Sequence, residues 1–255
     1  MIDHAARYGV EMLSAVGVQE LRPDGSGVTV VTTQGDRYRG RAVLIATGSS
    51  YRRLGVPGEE ALIGAGIHFC ATCDGPFYRG ADELLVVGGG NSGVEEGLFL
   101  SQFADRIRLI EFMPQLKASA HLQDRARGNP KFEIHANTEV LEFRRGPDGK
   151  LGSVLARDRS TGEVSTFSPA GAFVFVGLDP NTAFLQGVVD LDRWGFVVSD
   201  DAFGTSVPGV FAAGDVRAGS TKQLGAATGE GIAALLSIRR YLDEERTRSA
   251  VPAAM

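Results

Sequence analysis

Leu84-Leu85-Val86-Val87-Gly88-Gly89-Gly90-Asn91-Ser92-Gly93 is the stretch on which the fold turns. Its four aliphatic residues form a short continuous apolar run, the pattern of a strand covered on both faces. The run passes directly into G-x-G-x-x-G at Gly88, Gly90 and Gly93, and residues 93–103 continue as a helix. Ile107 to Glu111 then reads as a second strand. Strand, glycine loop, helix and strand make a βαβ unit of about 30 residues. The glycines permit a tight turn and let backbone amides approach a pyrophosphate, so Gly88 to Gly93, with Gly89, Asn91 and Ser92 between, are candidate contacts to a dinucleotide. A glycine turn without a ligand is the competing reading, and the flanking strand and helix argue against it.

Glu111 closes the second strand, 18 residues after Gly93. A carboxylate at this place can accept hydrogen bonds from an adenosine ribose and repels a 2′-phosphate. Phe112, Met113 and Pro114 follow, with no arginine among them, so NADH is favoured over NADPH; a solvated strand-end carboxylate is the plainer alternative. Gly25-Ser26-Gly27 precedes its strand and reads as a hairpin turn. Gly64-Ala65-Gly66 lacks a third glycine. Neither is a dinucleotide loop.

Outward from this unit, residues 3–13 carry helical spacing, Gly27 to Thr33 alternates as a strand, and Arg41 to Thr47 is a short apolar run read as a buried strand. Further strands are expected at Phe132 to Ala136, Thr138 to Arg144, Gly152 to Asp158, Ala172 to Val176 and Val210 to Ala213. Gln223 to Leu242 reads as an apolar closing helix, and Arg246 to Met255 as a frayed tail. Ala46-Thr47-Gly48 and Gly214-Asp215 each follow a strand. Such a Gly-Asp pair can present a carboxylate to a sugar-like hydroxyl, although many are simply turns.

A chain of 255 residues fits one large domain or two small ones at ~150 residues each. Twenty-six basic and 31 acidic side chains leave a formal charge of −5, against the basic surface that a sequence-independent grip on nucleic acid needs. No apolar run approaches the ~20 residues that span a bilayer. The amino terminus lacks the charged-then-apolar layout of a secretory signal, so a cytoplasmic location is expected.

The two cysteines fall together in Cys70-Ala71-Thr72-Cys73. A lone C-x-x-C without an export signal reads first as a redox pair or half of a zinc site. Zinc needs four ligands, and there is no second C-x-x-C. His68 is near, but His4, His121 and His135 show no paired spacing. A redox dithiol is favoured; a structural pair and a metal site stay open.

Taken together, His68-Phe69-Cys70-Ala71-Thr72-Cys73-Asp74-Gly75-Pro76-Phe77-Tyr78, the glycine loop and Gly209-Val210-Phe211-Ala212-Ala213-Gly214-Asp215 resemble the low-molecular-weight thioredoxin reductase family, class II of the pyridine nucleotide-disulfide oxidoreductases. Ile110 to Ala118 departs from the usual His-Arg-Arg-type phosphate site. It is closer to the NADH-using flavoprotein subunit of alkyl hydroperoxide reductase, whose extra amino-terminal thioredoxin-like module is not visible here.

The resemblance implies an α/β fold of two Rossmann-like dinucleotide-binding domains, an FAD domain interrupted by an NAD(P)H domain. Residues 1–51 and 178–255 would form the FAD domain and residues 52–177 the NAD(P)H domain with the redox motif. It implies FAD and NADH or NADPH as cofactors, thioredoxin-disulfide reductase activity on a thioredoxin-like or peroxiredoxin-linked protein disulfide, and a homodimer. Cys70 and Cys73 would be the disulfide reduced by flavin, with Asp74 as proton donor to the leaving thiolate. Asp215, after Gly214, would hold the ribityl or phosphate end of FAD, and Lys222-Gln223-Leu224 would face the isoalloxazine. Ala46-Thr47-Gly48 and Gly177 to Thr182 would lie at the two crossings between domains, where the family's rotation hinges. The family's first βαβ unit, with its own glycine loop, has no counterpart before Gly48. The chain is therefore expected to start inside the FAD domain, to hold FAD weakly or not at all, and to keep a folded nicotinamide domain. A ferredoxin-fed reductase of the same fold and a non-catalytic nicotinamide-binding redox sensor are the alternatives.

Overall fold

Residues 2–250 are described by a computed structural model. The chain order begins with α1 (Ile2–Arg7), β1 (Val18–Pro23), β2 (Val28–Thr32), β3 (Arg37–Gly40), β4 (Val43–Ile45), β5 (Ser49–Tyr51), α2 (Glu59–Leu62), β6 (Ile67–His68) and α3 (Ala71–Asp74). It continues through β7 (Ala81–Val87), α4 (Asn91–Leu100), β8 (Ala104–Ile110), α5 (Ala120–Arg127), β9 (Phe132–His135), β10 (Thr138–Arg145), β11 (Leu151–Asp158) and β12 (Val164–Phe167). The last elements are β13 (Gly171–Val174), β14 (Leu178–Pro180), β15 (Val210–Ala212) and α6 (Leu224–Ala250). Two compact units result, a central one from Tyr51–Leu178 and another from the stretches before and after it. Among the described residues no helix is long and apolar enough to cross a membrane.

The central unit is built on a five-stranded parallel sheet of order β6-β13-β7-β8-β9. Successive side chains of a strand point to opposite faces. Leu84 and Val86 accordingly join Val94 and Leu100 of α4 in one core, while Leu85 and Val87 join Val140, Phe143 and Val154 of the antiparallel β10-β11-β12 sheet in another. Both faces are covered, which is why β7 reads as an unbroken aliphatic run. Strand order reverses between β7 and β13, and ligands of open α/β sheets bind at the carboxyl ends of the strands at such a point.

The outer unit holds the antiparallel sheet β1-β2-β3, the parallel pair β15-β4 and α6. Leu21, Val28, Ile45, Val197, Val210 and Val216 form its core. Within this unit Ala213 N donates to Ile45 O at 3.0 Å, so the ends of β4 and β15 lie side by side and bring Ala46-Thr47-Gly48 next to Gly214-Asp215. The crossing strands β5 and β14 form a two-stranded sheet.

Several expectations need correcting. The first helix ends at Arg7 rather than residue 13, because Gly9 turns the chain at φ 73°. The Arg41–Thr47 strand shrinks to three residues, of which Ile45 is buried and Leu44 exposed. The closing helix runs through Arg246 to Ala250, where a frayed tail was expected; Arg248 pairs with Glu244 and Glu245 one turn back and supports it. Its apolar content is not all internal: Ala234 is buried, whereas Leu224, Ile232, Leu235 and Leu236 are exposed. The rest of the expected tail, residues 251–255, lies outside the described residues.

Candidate active site

β7 delivers Gly88 to the switch point at φ 116°, a region favourable to glycine. A Cβ there would lie 2.4 Å from Phe175 O. One on Gly93 would lie 1.9 Å from Gly88 O, so the start of α4 sits against the loop as only glycine allows. Gly90 differs. Its φ of −77° is ordinary, and a Cβ on it would meet no atom within 4 Å. No side chain caps the first turn of α4, and Asn91 and Ser92 are exposed there. Asn91 Oδ1 accepts from Ser119 N at 2.8 Å, and Gly89 O accepts from Lys117 N and Ala118 N, both at 3.0 Å. The outcome is an open cradle at a helix N-terminus, suited to an anion.

Glu111 is 8% exposed, and both carboxylate oxygens are used. Oε2 accepts from Gly89 N at 2.5 Å and Oε1 from Met113 N at 2.7 Å. The carboxylate thus ties the strand end to the glycine loop, while each oxygen retains a lone pair. The sequence neighbours of Glu111 offer no arginine, but the fold supplies one. Arg159 donates to Phe112 O at 2.9 Å and lies 3.8 Å over the Phe112 ring.

Cys70 and Cys73 form a disulfide at the start of α3, with Cα atoms 5.3 Å apart. Cys73 N donates to Cys70 Sγ at 3.1 Å, and Asp74 N to Cys70 O at 3.1 Å. The edge strand β6 pairs His68 with Phe173 of β13 immediately before the motif. His68 Nδ1 lies 3.4 Å from Asp74 Oδ2, and Nε2 lies 2.7 Å from the Tyr78 hydroxyl. Burial pushes the His68 imidazole below its ordinary pKa, with Asp74 opposing, and burial pushes the Tyr78 phenol up. Phe77, in the 3₁₀ turn Gly75–Tyr78 that follows α3, is 85% exposed.

In the outer unit, Gly214 turns at φ 78° and donates its N–H to Glu230 Oε2 at 2.8 Å. Arg217 holds the same carboxylate at 3.0 and 3.2 Å and keeps Glu230 below the usual carboxylate range. Lys222 Nζ donates to Asp215 O and Arg217 O, both at 2.7 Å, and lies 3.9 Å over the Phe196 ring. Burial lowers the Lys222 pKa, and Asp215 is foremost in opposing that shift. Asp215 Oδ1 and the Ser49 hydroxyl are buried with no protein partner. Buried polar atoms are almost always paired, so these two point to a group the polypeptide does not itself supply. Thr47 Oγ1 is committed to Asn181 O at 2.8 Å, Gly48 turns at φ 70°, and Gln223 and Leu224 are exposed at the start of α6.

The sequence-selected residues thus gather within each unit: Gly88 to Gly93 with Glu111 and, in the same unit, the dithiol with Asp74; Thr47 and Gly48 with Gly214, Asp215 and Lys222. Sequence reasoning missed Tyr78, Arg159, Ser49, Arg217 and Glu230. A histidine and a tyrosine bracketing the dithiol were visible signals; the others depend on tertiary approach.

The family model for pyridine nucleotide-disulphide oxidoreductases matches residues 3–231. Thioredoxin reductase of Bacillus subtilis (strain 168) is 39% identical over 244 residues, covering 96% of this chain and 76% of that protein. A subunit of the alkyl hydroperoxide reductase of Escherichia coli (strain K12) is 36% identical over 247 residues, covering 96% of this chain and 47% of that protein. The crystal structure of thioredoxin reductase from Streptococcus pyogenes MGAS5005 superposes with a TM-score of 0.87 at 38% identity, over 95% of this chain and 78% of that one.

Proposed function

The chain belongs to the pyridine nucleotide-disulphide oxidoreductases and, among them, to the thioredoxin reductase family, and from that premise we propose that it passes electrons from NADH through FAD and the Cys70–Cys73 pair to a protein disulfide of the thioredoxin-like or peroxiredoxin-linked kind. The observation that carries the proposal is the Cys70–Cys73 disulfide, formed in the same unit as the open glycine cradle.

The residues fit the nicotinamide dinucleotide and the ribityl end of FAD, while among the described residues no succession of strand, glycine loop and helix precedes Gly48 to take the FAD pyrophosphate. The cradle at Gly90 and the uncapped first turn of α4 would receive the pyrophosphate of the nicotinamide dinucleotide. Glu111, with a lone pair left on each oxygen, would accept from the adenosine ribose and disfavour a 2′-phosphate. Arg159 is held at Phe112 through Nη1 and the ring contact, and the preference for NADH rests on Glu111. The orphaned Asp215 Oδ1 would accept from a ribityl hydroxyl of FAD, and Thr47, Gly48, Gly214, Lys222, Gln223 and Leu224 are the further residues that would hold the flavin. FAD, when bound, supplies the two-electron carrier between nicotinamide and disulfide.

At the dithiol, the Cys73 amide aimed at Cys70 Sγ favours negative charge on Cys70. Cys73, which adjoins Asp74, is then the sulfur that needs a proton when the disulfide opens, and Asp74 supplies it. In the outward step a thiolate attacks the partner's disulfide, a mixed disulfide forms and the partner's S–S bond breaks. The second cysteine closes the Cys70–Cys73 bond and releases the partner as a dithiol. Phe77, exposed beside the motif, offers apolar surface to a protein acceptor. Cys70→Ser and Cys73→Ser, assayed with FAD added in excess, should each abolish disulfide reduction and spare NADH-driven bleaching of the flavin band. Loss of flavin reduction in both, with folding intact, would overturn the proposal.

A further inference from the structure

His68 joins the Tyr78 hydroxyl, by a hydrogen bond at Nε2, to the Asp74 carboxylate, 3.4 Å from Nδ1, and Asp74 adjoins Cys73. The imidazole is fixed from three sides. The Tyr78 hydroxyl lies 2.7 Å from Nε2, the Asp74 carboxylate 3.4 Å from Nδ1, and the Phe173 ring packs at 5.2 Å between centroids. Tyr78 and Phe173 also meet edge to face at 5.7 Å, so the clamp is closed on itself. The His68 side chain is 13% exposed and that of Asp74 33%, which leaves the carboxyl open to solvent while its anchor is sheltered. Cys70–Cys73 occupies the turn that joins His68 to Asp74.

We propose that His68 is a positioning residue for the dithiol step, holding the Asp74 carboxyl where it delivers its proton to the thiolate that leaves when the Cys70–Cys73 bond opens. The inference rests on the reading of Asp74 as that proton donor. In the neutral ring the Tyr78 O–H donates to Nε2, which leaves Nδ1–H directed at Asp74 Oδ2. When Asp74 carries the proton, the tautomer reverses: the carboxyl O–H donates to Nδ1 and Nε2–H to the Tyr78 oxygen. The ring therefore follows the carboxyl through both protonation states without either losing its partner. Among the described residues, the titratable groups facing the ring are Asp74 from α3 and Tyr78 from the following turn; β13 contributes the uncharged Phe173. A second proton on the imidazole removes the lone pair that Tyr78 or Asp74 donates to and breaks the relay. Burial keeps the ring neutral at neutral pH, so this failure belongs to the acid side.

The step can be followed without flavin. A dithiothreitol thiolate attacks one Sγ and forms a mixed disulfide, the Cys70–Cys73 bond breaks, and the leaving thiolate takes the proton from Asp74. The second dithiothreitol sulfur then closes its own ring and frees the other cysteine, so two electrons pass from dithiothreitol to the protein. Rates are read on the full chain by acid quench, alkylation and mass, from pH 5 to 9, after division by the thiolate fraction of dithiothreitol. His68→Leu should slow reduction about tenfold at pH 7, equivalent to ~1.4 kcal/mol. His68→Gln, whose amide can bond both neighbours but does not titrate, should recover most of that rate and lose the fall on the acid side. Tyr78→Phe should lie between the parent and His68→Leu. Should His68→Leu prove misfolded by circular dichroism, the Gln and Phe variants decide. Slow reduction in Asp74→Asn with parent-like profiles in the His68 variants would overturn the role of His68 alone. Parent-like reduction in Asp74→Asn would overturn the reading of Asp74 itself.

Discussion

Gly90→Ala separates a nucleotide cradle from a mere turn. Gly90 has φ −77° and ψ −179°, a conformation any residue adopts, and its added methyl would meet nothing within 4 Å. The folded chain therefore has room for it. The residue is the N-cap of α4, where alanine is poorer than glycine, so a loss of up to about 1 kcal/mol is expected. In a chain of this size that corresponds to a melting shift of about 2–4 °C. The ligand fares worse. An oxygen bonded to helix amides sits about 2.9 Å from their nitrogens, and a methyl in the same opening holds it back by more than an ångström. Losing one or two bonds to a charged group costs about 1.5–3 kcal/mol, or roughly tenfold to a hundredfold in affinity. Titration of NADH into the full chain by fluorescence, alongside thermal unfolding, reads both quantities. Gly93→Ala is the contrast, because its methyl would strike Gly88 O and should lower stability first. NADH affinity within twofold of the parent in Gly90→Ala would show that the open space is not where the pyrophosphate lies.

Two further outcomes follow from the carboxylates. The parent, assayed with FAD added in excess, should show a kcat/KM for NADH one to two decades above that for NADPH, and Glu111→Gln should shrink the ratio while costing about 1–3 kcal/mol, since Gly89 N or Met113 N loses its acceptor; a higher parental value with NADPH would remove Glu111 from the ribose. Glu230→Gln should destabilise the outer unit by about 1–3 kcal/mol at pH 7. Because Arg217 lowers the folded pKa of Glu230, its contribution is present above the ordinary carboxylate range and lost as pH falls through the folded value. The melting difference between parent and Glu230→Gln should accordingly narrow on going from pH 7 toward pH 4, and a constant gap would contradict the pairing.

What the sequence disclosed follows the range of the forces involved. The glycine loop was legible because its requirements are local: an aliphatic strand, a turn with close backbone contact, and a helix start lie within one short stretch. The dithiol was legible for the same reason. Glu230 was not, since it reaches Gly214 across 16 positions only after α6 has docked. Arg159 meets Phe112 across 47 positions, through the turn between β11 and β12, and no inspection of the residues flanking Glu111 could disclose it. A short exposed strand also escaped: β3, Arg37–Gly40, has no apolar run and exists because β2 pairs with it. The closing helix was read too short because its last turns are charged, and ion pairs along a helix face sustain it where burial does not.

The interruption of one unit by the other also bears on how the chain reaches its native state. Before anything folds, joining the stretch ending at Ser50 to the one starting at Asp179 means closing a flexible loop of about 130 residues, an entropic penalty of about 4 kcal/mol. The central unit is a continuous segment and can form without that closure. Once it has, Arg52 N lies 3.0 Å from Gly177 O, so its two ends emerge as neighbours and the outer stretches start from adjacent points. The central unit then serves as a folding template for its host, and the parallel pair β4 and β15, whose partners are distant in sequence, should be the late event in refolding.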